Sequence, residues 1–195
     1  MNQAQLFNKQ LTKGRAGELG FFSMAKNYFD EVNDYTDHTM WKDIQEKGID
    51  YGFIKNKWST EIYCDVKSNL YYQDNEYYKG WIMPIEYEKW SKEHFNKHNR
   101  EVEPGWIQDS QAHRIYHWDV RKENNSWIPT QNYVYYDLDE MRSFIYREWD
   151  KGPSSWLQKM SFVATWDSDY TRLIPVRLTD DRFKHLIRKI NIQEV

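Results

Sequence analysis

Cysteine is almost missing from this chain: Cys64 is the only one in 195 residues. That excludes an intramolecular disulfide and a zinc site built on paired cysteines, and it suits a reducing compartment. Long apolar runs are missing as well. None approaches the roughly 20 residues needed to span a bilayer, and the opening residues Met1 to Lys9 lack the apolar stretch of a secretory leader. The expectation is a soluble, cytoplasmic protein with no membrane association. Nor is there an excess of basic charge, since 27 Lys and Arg against 30 Asp and Glu give a net charge of -3. This counts against nucleic-acid binding, because phosphate neutralisation by Lys and Arg supplies most non-specific affinity. The objection weakens if carboxylates are gathered around divalent ions, which restore positive potential where they bind. The sequence shows no internal repeat and no low-complexity tract.

Aromatic residues are plentiful. Ten Trp, fifteen Tyr and nine Phe offset a hydrophobic fraction of only 39%, because each buries a large area. The length fits one domain, residues 1–195. From about Gln5 to Phe29, the residues Leu11, Phe22, Ala25 and Phe29 fall in one arc at about 100° per residue, which predicts an amphipathic helix. After a polar stretch from Asp34 to Lys47, apolar residues alternate from Gly48 to Ile54 as a strand requires. Asn56-Lys57 reads as a turn. Trp58 to Asn69 then places Ile62, Cys64 and Val66 on one parity and Glu61, Tyr63, Asp65 and Lys67 on the other, predicting a strand with one buried face. Residues 70–108 read as an aromatic-rich insertion with a helix from Ile85 to about Asn99 and a break at Pro104-Gly105. Strands are predicted over Ala112 to Val120 and Gln131 to Asp137, separated by Lys122 to Ser126, and a helix over Leu138 to Trp149. Ser161 to Trp166 and Arg172 to Leu178 read as extended. Asp180-Asp181 should cap a short basic helix containing Arg182, Lys184, Arg188 and Lys189.

Three features carry chemistry. Glu18 sits within the apolar arc of the first helix, where an unpaired carboxylate is costly. Exposure to water or pairing with Arg15 would explain it without any function. Asp65-Val66-Lys67 puts a carboxylate and an ammonium on one face of a strand, although such residues also decorate solvent-facing strands at little energetic consequence. Asp50 lies in an otherwise apolar strand. An antiparallel neighbour would bring it beside Asp65, within the span of a divalent cation, and an edge-strand aspartate facing solvent is the plain alternative. Each feature alone is a weak signal; the three occur in one order within one stretch.

Together they resemble the PD-(D/E)XK nuclease superfamily. Ile49-Asp50 stands at the Pro-Asp position, Asp65-Val66-Lys67 forms the (D/E)XK element, and Glu18 lies within Gly14-Arg15-Ala16-Gly17-Glu18-Leu19-Gly20, so the resemblance covers roughly the first 70 residues. It implies an α/β fold with a restriction-endonuclease-like core, a central mixed sheet flanked by helices. It also implies Mg²⁺ or Mn²⁺ held by Asp50, Asp65 and the Val66 carbonyl, with Glu18 completing the shell directly or through water. Hard cations prefer such oxygen ligands. Lys67 would orient or help deprotonate the attacking water. The implied activity is hydrolysis of DNA phosphodiesters by an endonuclease acting on duplex or branched DNA, and a homodimer is the expectation for cutting two strands. An exonuclease of the same superfamily and a non-catalytic DNA- or protein-binding module on the same fold are the alternatives.

Weaker signals have plainer explanations. Gln73 to Tyr77 has a Gln-x-x-x-Tyr form, but it follows Lys67 too closely to join the catalytic set. His94 and His98 lack the glutamate of a zinc peptidase helix, so a surface pair is expected. His113 and His117 share strand parity. Lys79, Lys89, Lys92, Lys97, Arg100 and the C-terminal basic residues could meet phosphates, with a solvated face as the default. Tyr71, Tyr72, Tyr77, Tyr78 and Trp81 could stack on bases, with core packing as the default.

Overall fold

The computed structural model describes residues 3–56, 58–91, 102–165 and 169–192. Helix α1 (Gln3–Tyr28) turns Ala16, Gly17, Gly20, Phe21 and Ala25 inward, the spacing of one helical stripe. Phe21 is fully buried, while Phe22 and Phe29 are only partly covered. The buried stripe is therefore rotated by about one residue from the predicted arc, and the Leu11 side chain lies outside the described residues. Two glycines let the helix seat closely. A Cβ on Gly17 would stand 2.1 Å from Ser68 Oγ, and one on Gly20 would stand 2.7 Å from Pro129 and from the Trp118 ring.

After α1 come β1 (Glu31–Asp34), the single-turn α2 (Lys42–Gln45), β2 (Tyr51–Ile54) and β3 (Ile62–Asp74), and the three strands pair antiparallel. Strand β3 is the spine of the molecule. Its N-terminal half lies between β2 and β6 (Arg114–Glu123), running parallel to β6 with Asp65 opposite Ile115 and Lys67 opposite His117. Its C-terminal end pairs with β4 (Lys79–Ser91). A parallel pair needs a long crossover, and this one carries β4, β5 (Glu103–Pro104) and α3 (Trp106–Asp109). β6 and β7 (Ser126–Asp137) form a hairpin whose turn residues Asn124 and Asn125 have φ of 46° and 66°, the left-handed region asparagine tolerates. The chain finishes with α4 (Leu138–Trp149), α5 (Trp156–Met160), β8 (Phe162–Thr165), β9 (Asp169–Arg177), α6 (Asp181–Lys184) and β10 (Arg188–Asn191). The strand order is β10-β7-β6-β3-β4-β9-β8, with β2 and β1 added beside β3.

Helices cover this mixed sheet on both faces. Under α1, Phe21 and Ala25 pack with Tyr51, Phe53, Cys64, Val66, Tyr116 and Trp118. On the other face, Ile115, Val134, Tyr136, Met83 and Ile85 meet Leu138, Met141 and Ile145 of α4. The expected strand with one buried face is thus corrected, because Tyr63 packs against the second core while Cys64 and Val66 join the first. The register between β3 and β6 slips by one residue between Lys67 and Leu70, a β-bulge. Beyond it Leu70 and Tyr72 face the α4 side, which odd-numbered residues had faced before.

The predicted helix from Ile85 is also overturned over its described part. Trp81, Met83, Ile85 and Tyr87 alternate into the core as a strand, the two-residue period that the charged neighbours obscured. Residues 92–101 lie outside the described residues, among them Lys92, His94, Lys97, His98 and Arg100, as does Lys57. At the C-terminal end the expected basic helix is a single turn capped by Asp180, and Arg188 and Lys189 belong to β10. Helix α4 has the predicted bounds. Among the described residues no helix is long and apolar enough to cross a membrane.

Candidate active site

Asp50 precedes β2, and the antiparallel register that pairs Tyr51 with Cys64 brings it to the level of Asp65. Since β2 ends there, the Val66 N–H has no strand partner on that side, and Asp50 Oδ2 accepts it at 2.8 Å. Gln45 Nε2 approaches Asp50 Oδ1 at 3.4 Å and also donates to the backbone carbonyls of Tyr35 (2.8 Å) and Ile49 (3.0 Å). The carboxyl is thereby fixed from the α2 side. Asp65, only 2% exposed, lies beside it, and Lys67 Nζ stands 2.7 Å from Asp65 Oδ2. Lys67 is thus the charge partner of this buried oxygen, and Asp65 also meets the Asp50 carboxyl.

The electrostatics follow from crowding. Burial pushes the Asp50 carboxyl well above the usual range, and the neighbouring Asp65 charge adds to the shift against the opposing pull of Lys67. Two carboxylates side by side in a desolvated place cannot both ionise cheaply. For Lys67 burial acts downward, but Asp65, Asp50 and then Glu86 outweigh it and the ammonium is held more firmly than in water.

Trp106 and Glu86, which the sequence reading did not single out, and His117, which it did, complete the surroundings. Trp106 of α3 lies with its ring centroid 5.6 Å from Lys67 Nζ, and Glu86 of β4 accepts the Trp106 backbone N–H at 3.4 Å. The misread helix hid Glu86; its place in an alternating strand was the available signal. His117 is fully buried, with Nδ1 donating to Asn69 Oδ1 at 2.5 Å and Nε2 3.3 Å from the Tyr136 hydroxyl. Burial and the Lys67 charge push its pKa well below the ordinary value. His113 instead stacks on Tyr63 at 5.4 Å, and its Nδ1 accepts the Tyr63 N–H.

Glu18 is placed differently. Its helix packs on the Cys64 and Val66 face, whereas Asp65 and Lys67 point to the other. Its carboxylate is paired with Arg15 at 2.9 Å, and Arg15 also donates to Thr36 Oγ1 at 2.6 Å. Both line an open cleft of about 860 Å³ that extends to Gln45, and so reaches the Asp50 side of the pair. Among the described residues, no three of His, Cys, Asp and Glu form a group able to hold a metal ion. The structure therefore brings together Asp50, Asp65 and Lys67, and leaves Glu18 with Arg15.

Asp50 and Asp65 nevertheless fit a divalent cation. They offer adjacent carboxyl oxygens, the donors a hard cation prefers, and a cation would replace the proton that crowding otherwise retains on Asp50. Of the other residues weighed for contact with nucleic acid, Trp81 is core and Tyr72 packs against it, whereas Tyr71 and Tyr77 are exposed. Gln73 and Tyr71 line a separate cavity with Arg177 and Arg182. Comparison with protein families, with curated proteins and with solved structures finds no match.

Proposed function

We propose that this protein is a divalent-metal-dependent nuclease that hydrolyses DNA phosphodiester bonds, acting as an endonuclease on duplex or branched DNA. The observation that carries the reading is the juxtaposition of Asp50 and Asp65 across the β2–β3 pair, with Lys67 Nζ 2.7 Å from Asp65. A mixed sheet with helices on both faces, the arrangement that a PD-(D/E)XK resemblance implies, supports it further.

In this reading Asp50, Asp65 and the Val66 carbonyl hold Mg²⁺ or Mn²⁺. The bound ion would polarise the scissile phosphate and stabilise charge on the leaving oxygen. Lys67 orients the attacking water and takes up part of the phosphate charge, and Asp65 keeps the ammonium in place. Gln45 and the Val66 N–H fix the Asp50 carboxyl beside Asp65. Direct ligation by Glu18 requires release from Arg15, so Glu18 acts through water, and Glu18→Gln lowers the rate less than Asp65→Ala does.

Nicking of supercoiled plasmid tests the proposal, with Mg²⁺, Mn²⁺ or EDTA and with the wild type beside Asp65→Ala and Lys67→Ala. Metal-dependent nicking lost in both variants is expected; cleavage by both at the wild-type rate would falsify the assignment. The near-complete burial of Asp65 favours a second reading, a non-catalytic DNA- or protein-binding module in which the ion pair is structural. Stable DNA binding without metal-dependent cleavage selects that one.

A further inference from the structure

We infer that the face of the sheet under α1 carries a binding site for a single nucleotide, a planar base bearing a phosphate. The site is a cavity of about 350 Å³ between the C-terminal part of α1 and strands β2, β3, β6 and β7, within the size range of small-ligand pockets. A second cavity of about 360 Å³ continues from it past Trp118 and Thr130, the two sharing Met24, Tyr28 and Tyr133.

The walls combine ring surface with positive charge. Tyr135, partly exposed, presents aromatic surface to the cavity and is stacked from behind on buried Tyr116 at 5.0 Å with planes 22° apart, while Phe53 and Tyr133 form the buried floor. Stacking on such rings is tolerant of base identity. Tyr28 also lines the cavity yet is 68% exposed, placing a phenol with open surface where a base could be covered.

Charge selects the phosphate. Lys55 and Arg114 both line the cavity, and none of its lining residues is acidic. Arg114 is held between the Tyr135 ring at 5.2 Å and the Phe53 ring at 5.8 Å. Its Nε is committed to Asp137 at 3.0 Å, and the guanidinium also meets the Tyr116 hydroxyl. Since Asp137 offsets that charge, exposed Lys55 provides the net positive potential. A nucleotide matches both halves, rings for the base and ammonium for the phosphate. Asp65 and Lys67 point to the opposite face, so occupancy here does not depend on the cleavage proposed above. A free mononucleotide and the 5′ end of a strand share this chemistry.

Titration calorimetry on the full chain with EDTA present tests the inference, using deoxyadenosine monophosphate, deoxyadenosine, inorganic phosphate and a 5′-phosphorylated hexanucleotide. Saturable binding of the monophosphate is expected, at least about tenfold tighter than the nucleoside. Tyr135→Ala should weaken it about tenfold. Lys55→Ala, at an exposed position where folding is not at stake, should bring monophosphate and nucleoside to equal affinity. A tighter hexanucleotide identifies a strand end as the natural occupant, and equal or weaker binding identifies the free nucleotide. No saturable binding up to ~10 mM, equal affinity for monophosphate and nucleoside in the wild type, or no effect of either substitution overturns the inference. Plasmid nicking is scored separately, so a failed nuclease assay leaves this result standing.

Discussion

Replacing Lys67 by methionine keeps most of the side-chain volume and removes its charge. Asp65 would then hold a carboxylate with 3% side-chain exposure and no counter-charge at 2.7 Å, beside a second carboxyl already short of water. Removing one partner of a buried ion pair costs about 3–5 kcal/mol. The Lys67 side chain is 28% exposed, so water reaches the gap and the low end, ~3 kcal/mol, applies. For a domain of this size each kcal/mol moves Tm by about 2–4 °C, giving a fall of roughly 6–12 °C. Thermal unfolding followed by circular dichroism at pH 8 measures it. Lys42→Met, which removes the exposed pair with Glu46 at 3.7 Å, is the control and should move Tm by less than ~2 °C. Asp65→Asn combined with Lys67→Met should recover most of the loss, because the carboxylate left without its partner is removed as well. At pH 5 the deficit of Lys67→Met should shrink as the Asp50 carboxyl, held above the usual range, takes up a proton. A Tm within ~2 °C of wild type at pH 8 would show that the pair is solvated and that the crowded electrostatics described above are wrong.

Other expectations concern acid, metal and packing. His117 is neutral when folded, and its depressed pKa means that the unfolded chain binds the proton first. Its contribution is therefore present above the ordinary histidine pKa and is lost as pH falls below it, with a slope approaching about 1.4 kcal/mol per pH unit for one proton. Urea unfolding across pH 4 to 7 should show this slope, and His117→Gln should flatten it; an unchanged slope assigns the acid sensitivity to other groups. Saturating Mg²⁺ at about a hundred times its Kd should add ~2.7 kcal/mol, an increment that Asp50→Asn with Asp65→Asn removes; equal stabilisation of that double variant places the ion elsewhere. Gly20→Ala drives a methyl into the Trp118 ring and should cost about 1–3 kcal/mol in urea unfolding, whereas Gly14→Ala, with nothing within 4 Å of the added carbon, should be neutral or stabilising. Equal stability of the two alanine variants would mean that α1 is not seated through Gly20.

Elements with a single strong period were legible in the sequence. Leu138 to Trp149 carries a clean helical stripe, and the β6–β7 hairpin is announced by Asn124-Asn125. The pairing of Asp50 with Asp65 was legible too, because strand parity and a short connection determine it. Glu86 was missed: Glu86, Glu88 and Lys89 among apolar residues imitate a helical spacing and obscure the two-residue period that pairs the segment with β9. The tertiary position of Glu18 was equally hidden. Helical periodicity places Glu18 on a stripe, but the stripe that is buried is chosen by which residues are small enough to meet the sheet, here Ala16, Gly17 and Gly20.

The slipped register between Lys67 and Leu70 gives the spine strand two different inward phases. Upstream the odd positions Asp65 and Lys67 look toward α4, downstream the even positions Leu70 and Tyr72 do. The extra residue between them is what lets an odd and an even set share that side. Loss of one residue at Ser68 or Asn69 would remove the bulge and leave a regularly alternating strand with Lys67 and Leu70 still on the α4 face, so the extra residue sets the local bend rather than which side chains look inward.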